Sequence, residues 1–133
     1  MTATFETRAL YGPPRPVLVI SVIGEIDRTN DDELRRHLHR TAAQRGSESF
    51  REQYGCSEPA TAVVVDLRGA TFVAGNALAF LARERDGTGR PLRLVLGPRG
   101  VVRRALAAAG LESDVELYDD VADAVLAEVT PET

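Results

Sequence analysis

The chain has 133 residues, of which 44% are hydrophobic and 27% are charged, with a formal net charge of −4 and a single cysteine. This composition indicates one globular domain with one core and excludes a disordered chain. The acidic balance argues against nucleic-acid binding, and no apolar run is long enough to cross a membrane. One cysteine cannot form an internal disulfide and the N-terminus is polar, so we expect a single cytoplasmic domain over residues 1–133.

The first half of the chain contains two strand signals and one helix signal. Residues 4–11 alternate in polarity as an edge strand does, and residues 16–23 form the apolar run of a strand covered on both faces. Asn30, followed three residues later by Glu33, predicts a capping box at the start of a helix that reaches about residue 45. The apolar positions of one face of this helix are Leu34, Leu38 and Ala42.

The middle of the chain begins with a segment that has no clear period. Residues 44–61 are polar, which predicts a loop insertion. Residues 62–67 predict a second buried strand, and residues 76–85 predict a helix. Residues 92–97 then predict a strand with Leu92, Leu94 and Leu96 on one face and Val95 on the other.

The last third of the chain predicts helix, strand and helix. Gly110 ends the helix that begins at residue 101, because glycine readily adopts the left-handed conformation of a C-terminal cap. Residues 115–118 predict a short strand, and residues 119–129 a closing helix with Val121, Ala124, Val125 and Leu126 facing inward. The order of elements predicts an α/β fold with a mixed, mainly parallel sheet of about five strands and about four helices.

Side chains that carry chemistry are few and scattered. Cys56 lies in the polar insertion. It does not follow a strand in a tight turn, which is the arrangement that presents a nucleophile. His37 and His39 are two residues apart on a helix, so they point to different sides and are poorly placed to share a metal ion. We therefore expect no enzymatic activity, no metal and no cofactor, and keep an enzyme that uses Cys56 or a histidine as an alternative.

Three blocks of the sequence resemble the STAS domain family, in particular the anti-sigma factor antagonists. They are VISVIGEIDRTNDDELRRHL, AVVVDLRGATFVAGNALAFL and RPLRLVLGPRGVVRRALAAAGLESDVELYDDVADAV, and they occur in the family's order. The resemblance implies the STAS fold and a non-catalytic role in protein binding. It also implies an anti-sigma factor or serine kinase as partner, in transcription or stress regulation.

The resemblance also places a site. In the family, a kinase phosphorylates the first serine of a D-S-[ST]-G turn, and Ala74, Gly75, Asn76 and Ala77 stand at the four positions of that motif. Gly75 has no hydroxyl, so phosphorylation cannot control the chain at this position. The residues that the resemblance assigns to partner binding are Glu25, Asp27, Ala74, Gly75, Asn76 and Ala77.

Three functions therefore stay open from the sequence. The favoured one is an antagonist-like domain that binds an anti-sigma factor or serine kinase. The first alternative is a STAS-like scaffold or ligand-sensing domain with an unrelated partner, and the second is the small enzyme. The sequence leaves a homodimer open and excludes nucleic acid and membrane as expected partners.

Overall fold

A computed structural model describes residues 3–10, 17–43, 62–85, 90–97 and 100–127. In these ranges five strands form one sheet in chain order: β1 (Thr4–Leu10), β2 (Val17–Ile26), β3 (Val63–Val73), β4 (Arg93–Val95) and β5 (Glu116–Tyr118). The same ranges contain the helices α1 (Asp31–Ala43), α2 (Gly75–Arg83), α3 (Val101–Ala109) and α4 (Val121–Leu126), and a short 3-10 helix, Glu112–Asp114. The predicted insertion at 44–61 lies outside the described residues.

The sheet is mixed and mainly parallel, as the sequence predicts. β1 is antiparallel to β2, and the pairs β2–β3, β3–β4 and β4–β5 are parallel. Right-handed crossovers between parallel strands in chain order place the connecting helices on one face of the sheet. The larger core lies between this face and helices α1, α2 and α3, and a smaller one lies between α4 and the opposite face.

Strands β2 and β3 are longer than the sequence predicts. The pairing of β2 with β3 continues to Ile26 and Val73, through two register shifts that each give β3 one extra residue. Two glycines make this continuation sterically feasible. Gly24 has a φ of 107°, and a Cβ on Gly69 would lie 3.0 Å from Cγ1 of Ile23. The prediction ended β2 at residue 23, just before Gly24, and ended β3 at residue 67.

Helix α4 is held on the sheet by apolar contacts and by a buried cation. Arg93 is fully buried, and its Nη1 donates a hydrogen bond of 2.8 Å to the carbonyl oxygen of Ala124. The prediction that Leu126 faces inward is wrong, since its side chain is 53% exposed. Leu126 follows Val125 by about 100° around the helix axis, which turns it away from the sheet. The inward residues of α4 are Val121, Ala124 and Val125.

The two histidines of α1 contact different neighbours, as their spacing predicts. His37 stacks on Phe5 of β1 with ring centroids 5.6 Å apart, and its Nε2 lies 2.6 Å from Oγ1 of Thr7. His39 lies 3.1 Å from a carboxylate oxygen of Glu84 beyond the end of α2. Burial and then the charge of Arg40 lower the pKa of His37 from 6.5, so the folded state favours neutral His37.

We expect His37 to make stability depend on pH. Because its folded-state pKa is lowered, its contribution is complete above about pH 6.5 and is lost as the pH falls through the folded-state value. In His37→Gln, the part of the decrease in unfolding free energy on acidification that His37 causes should disappear. Urea unfolding of wild type and variant between neutral and mildly acidic pH measures the difference.

His39→Gln is the matched control, because it leaves the contacts of His37 with Phe5 and Thr7 in place. This control should keep the pH dependence that His37 contributes. Identical pH profiles for wild type and His37→Gln would contradict the assignment.

Candidate functional site

The candidate site is built from two loops at the carboxyl ends of β2 and β3. Neighbouring parallel strands end at the same edge of a sheet, so the loops that follow them meet there. The backbone N–H of Ala74, just after β3, donates a hydrogen bond of 2.8 Å to the carbonyl oxygen of Ile26, the last residue of β2. The main chain itself therefore joins the turn after β3 to the loop between β2 and α1.

Asn30 fixes the conformation of the loop between β2 and α1. It is only 5% exposed, and its Nδ2 donates to the carbonyl oxygen of Glu25 at 2.8 Å while its Oδ1 accepts from the N–H of Asp27 at 2.8 Å. The predicted capping box with Glu33 is therefore wrong. The N–H of Glu33 donates to the backbone oxygen of Asn30 instead, because the side chain is used by the loop before the helix.

Asp27 presents a negative charge on this loop. Its Oδ1 accepts hydrogen bonds from the hydroxyl of Thr29 at 2.6 Å and from the backbone N–H of Thr29 at 2.9 Å. Hydrogen bonds to the ionised form lower the pKa of Asp27 below its usual range, with the Thr29 hydroxyl as the largest cause. The carboxylate is therefore ionised and held in one orientation.

The turn after β3 is tied to α1 by side chains. Nδ2 of Asn76 donates a hydrogen bond to Oδ2 of Asp31 at the start of α1. Asp31 is 9% exposed, so this bond satisfies a largely buried carboxylate. The partnership with Asn76 was missed because 45 residues separate the two in the chain.

Helix α2 begins at Gly75, one residue before the start that the sequence predicts. Its N-cap is Ala74, and no side chain caps the helix. Gly75 and Asn76 are exposed, Ala74 is half-buried, and Ala77 is buried in the core. Gly75 and Asn76 thus form the accessible part of the turn, and Ala77 supports it from below.

Gly75 lies in an unobstructed position. A Cβ added to it would meet no heavy atom within 4 Å, and its φ lies outside the left-handed region. A serine would fit there without displacing a neighbour, so sterics do not explain its absence. Thr71 of β3, four residues before Gly75, is exposed, and the hydroxyl of Thr29 donates a hydrogen bond to Asp27.

The six residues predicted to bind a partner are brought together at one edge of the sheet. Glu25 is paired with Phe72 in the β2–β3 ladder, one residue before the pair that precedes the turn. The edge carries carboxylates, an amide and an exposed phenyl ring but no histidine, since His37 contacts β1 and His39 contacts Glu84.

Residues 3–10, 17–43, 62–85, 90–97 and 100–127 contain no group of three or more side chains able to hold a metal ion. No helix within those ranges has the length and apolar character needed to span a bilayer. Cys56 lies outside them.

The STAS domain model matches residues 9–124. The chain belongs to the STAS domain family. Among curated proteins no sequence matches it significantly.

Solved structures share the STAS fold. An anti-sigma factor antagonist from Mycobacterium paratuberculosis is 24% identical, with 96% of each chain covered and a TM-score of 0.67. The unphosphorylated form of the anti-sigma factor antagonist SpoIIAA is 15% identical, with 95% of this chain and 97% of that chain covered and a TM-score of 0.52. An uncharacterized protein with a SpoIIAA-like fold from Shewanella loihica is 12% identical over 98% and 97% of the chains, with a TM-score of 0.54. At these identities the likeness establishes the fold.

Two glycines of this STAS domain should respond oppositely to the same substitution. Gly75→Ala should leave stability unchanged or raise it by up to about 1 kcal/mol, because a helical alanine restricts the unfolded chain more than glycine does. Gly69→Ala should lower it by about 1–3 kcal/mol, because the new Cβ would lie 3.0 Å from Ile23 Cγ1 and 3.1 Å from the Val22 carbonyl oxygen. Urea unfolding of both variants measures this contrast, and equal effects would refute it.

Proposed function

We propose that this STAS domain is a non-catalytic interaction module that binds an anti-sigma factor or a serine kinase-like protein. The docking surface comprises the accessible residues of Gly24–Asp27 at the end of β2 and the start of the next loop, those of the Ala74–Ala77 turn, and the exposed side of α2. Through this partner the domain regulates transcription in the cytoplasm, as part of a stress response. The observation that carries the proposal is the bonded junction between the two loops, through Ala74 and Ile26 in the main chain and through Asn76 and Asp31 in the side chains.

A surface of this kind is suited to binding because it is already ordered. Asn30 is fixed at both ends of its amide, and Asp27 is fixed by Thr29, so the loop loses little conformational freedom when a partner docks. Asp27 is acidic and accessible, and Glu25 precedes it by two residues. The partner surface that complements this edge is basic.

Control by phosphorylation at the turn is excluded by its chemistry. None of the four residues 74–77 carries a hydroxyl, so a kinase partner has no acceptor there. The position of Gly75 is nevertheless open and would admit a serine. Binding at this surface is therefore independent of phosphorylation of the turn.

A second candidate function is ligand sensing with a partner unrelated to sigma factors. It is favoured by a depression of about 330 Å³ on the face of the sheet beside α4, lined by Ser21, Val22, Ile23, Asp66, Arg68 and Gly69. A volume of this size is at the lower end for small-molecule sites. Nε and Nη2 of Arg68 bind the two carboxylate oxygens of Asp66 in this depression. The remaining guanidinium nitrogen, Nη1, is then left to bind a ligand.

The test of the first candidate is capture from a lysate of the native host in the presence of ATP and Mg²⁺. Mass spectrometry should identify an anti-sigma factor or a serine kinase of that class. Asp27→Asn combined with Asn76→Ala should weaken the purified complex tenfold or more, because the two changes remove the negative charge of Asp27 and the hydrogen bond that ties the two loops together. Isothermal titration calorimetry measures the affinity.

Glu112→Gln is the control for this measurement. Glu112 is exposed in the 3-10 helix before β5, at the opposite end of the parallel strands, and its substitution should leave binding unchanged. If neither an anti-sigma factor nor a serine kinase is captured, the antagonist assignment is overturned. Equal affinities for the wild type and the double variant would show that the docking surface lies elsewhere.

Gly75→Ser should create a phosphorylation switch if the partner is a kinase. The new hydroxyl is exposed, and a phosphate on it would change the charge of an already acidic edge. Incubation with the partner and ATP should phosphorylate residue 75 and weaken the complex at least tenfold, as read by mass spectrometry and calorimetry.

The wild type and Gly75→Ala are the controls, and both should stay bound in the presence of ATP. Release of the wild type by ATP would disprove binding that is independent of phosphorylation. It would place the acceptor at another hydroxyl.

A further inference from the structure

The outer edge of β1 is an unused pairing edge in the part of the chain that the structure describes. β1 pairs with β2 alone and lies at one end of the strand order. Alternate backbone N–H and C=O groups of such an edge point away from the sheet and can pair with another strand. β1 has seven residues, which is long enough for a complete ladder.

The sequence of β1 is complementary to itself in antiparallel pairing. With Thr7 on a two-fold axis, Glu6 of one copy lies directly opposite Arg8 of the second copy, and the same pair recurs on the other side of the axis. Glu6 and Arg8 are both exposed, and neither has an ion-pair partner among the described residues. Opposite charges directly across an antiparallel pair stabilise it, and like charges destabilise it.

The other face of β1 has a complementary pairing in the same register. Phe5 of one copy lies opposite Ala9 of the second copy, so a large apolar side chain faces a small one. Both are half-buried and pack against the larger core, and Phe5 is further held by its stacking on His37. The ring is therefore already oriented before a second strand arrives.

Only one register satisfies both faces. We consider the two-fold arrangement that keeps the helices of both copies on one side of the joined sheet. Because side chains alternate between the two faces of a strand, odd-numbered residues then pair with odd-numbered residues and even-numbered with even-numbered. A shift that centres the axis on Glu6 places Glu6 opposite itself, and one centred on Arg8 places Arg8 opposite itself. The register centred on Thr7 avoids both repulsions and pairs every residue of Thr4–Leu10.

We propose that this chain forms a symmetric homodimer through β1, in which two five-stranded sheets join into one continuous sheet with Glu6 and Arg8 paired across the joint. The contact does not use the loops after β2 and β3, so the dimer presents two copies of the docking surface. The proposal does not rest on the identity of the partner that binds there.

The test exchanges the charges at residues 6 and 8 and measures the molar mass of the protein in solution. Sedimentation equilibrium over a concentration series should show a dimer for the wild type. Glu6→Arg and Arg8→Glu alone each place two like-charged pairs across the joint, so each should raise the dimer dissociation constant at least about tenfold. The double variant Glu6→Arg/Arg8→Glu restores opposite charges and should dimerise like the wild type.

Mixing the two single variants gives the sharpest measurement. Glu6→Arg carries arginine at both positions and Arg8→Glu carries glutamate at both, so the mixture should form a heterodimer while neither variant dimerises alone. Circular dichroism of each variant checks that the fold is retained. A monomeric wild type, single variants that dimerise normally, or a mixture of folded variants that stays monomeric would each overturn the proposal.

Discussion

The structure depends on the parallel pairing of β2 with β3 from Leu18 and Val63 to Ile26 and Val73. These strands carry the centre of both cores, and their carboxyl ends fix where the next loops begin. Two extra residues in β3 accompany the continuation of the ladder past Gly24 and Gly69, and a Cβ on Gly69 would lie 3.0 Å from Cγ1 of Ile23. Bulges of this kind bend a strand and redirect the chain at its end. Without them the turn at Gly75 would not lie against the end of β2.

The candidate surface is a consequence of that geometry. The backbone bond from Ala74 to Ile26 fixes the two loops side by side, and the bonds of Asn30 and Asn76 then lock them. Each polar group that is buried in forming the junction has a partner, so the surface is ordered without large cost. A turn of this construction keeps its shape when the side chain at residue 75 is reduced to hydrogen.

Local patterns predicted most of the fold because they report on burial directly. The apolar run of β2, the alternation in β1 and Gly110 at the end of α3 each reflect one element and its exposure, and each is confirmed. Boundaries were predicted less well. A glycine in a strand has the same sequence signature whether the strand ends or bulges, and only pairing with a neighbour distinguishes them. Leu126 was misplaced because hydrophobicity alone does not say where a short helix turns away from the sheet.

By itself the sequence determined the α/β class, the family resemblance and the absence of a hydroxyl at residues 74–77, since these follow from residue identity and local period. The tertiary structure decided which distant residues meet. Asn76 and Asp31, which share a hydrogen bond, are 45 positions apart. The side chain of Asn30 binds the backbone of Glu25 and Asp27 instead of capping the helix as predicted. A polar side chain can bind whichever backbone or side-chain group lies within about 3 Å. That choice is made by packing of the whole chain, which no local window of sequence contains.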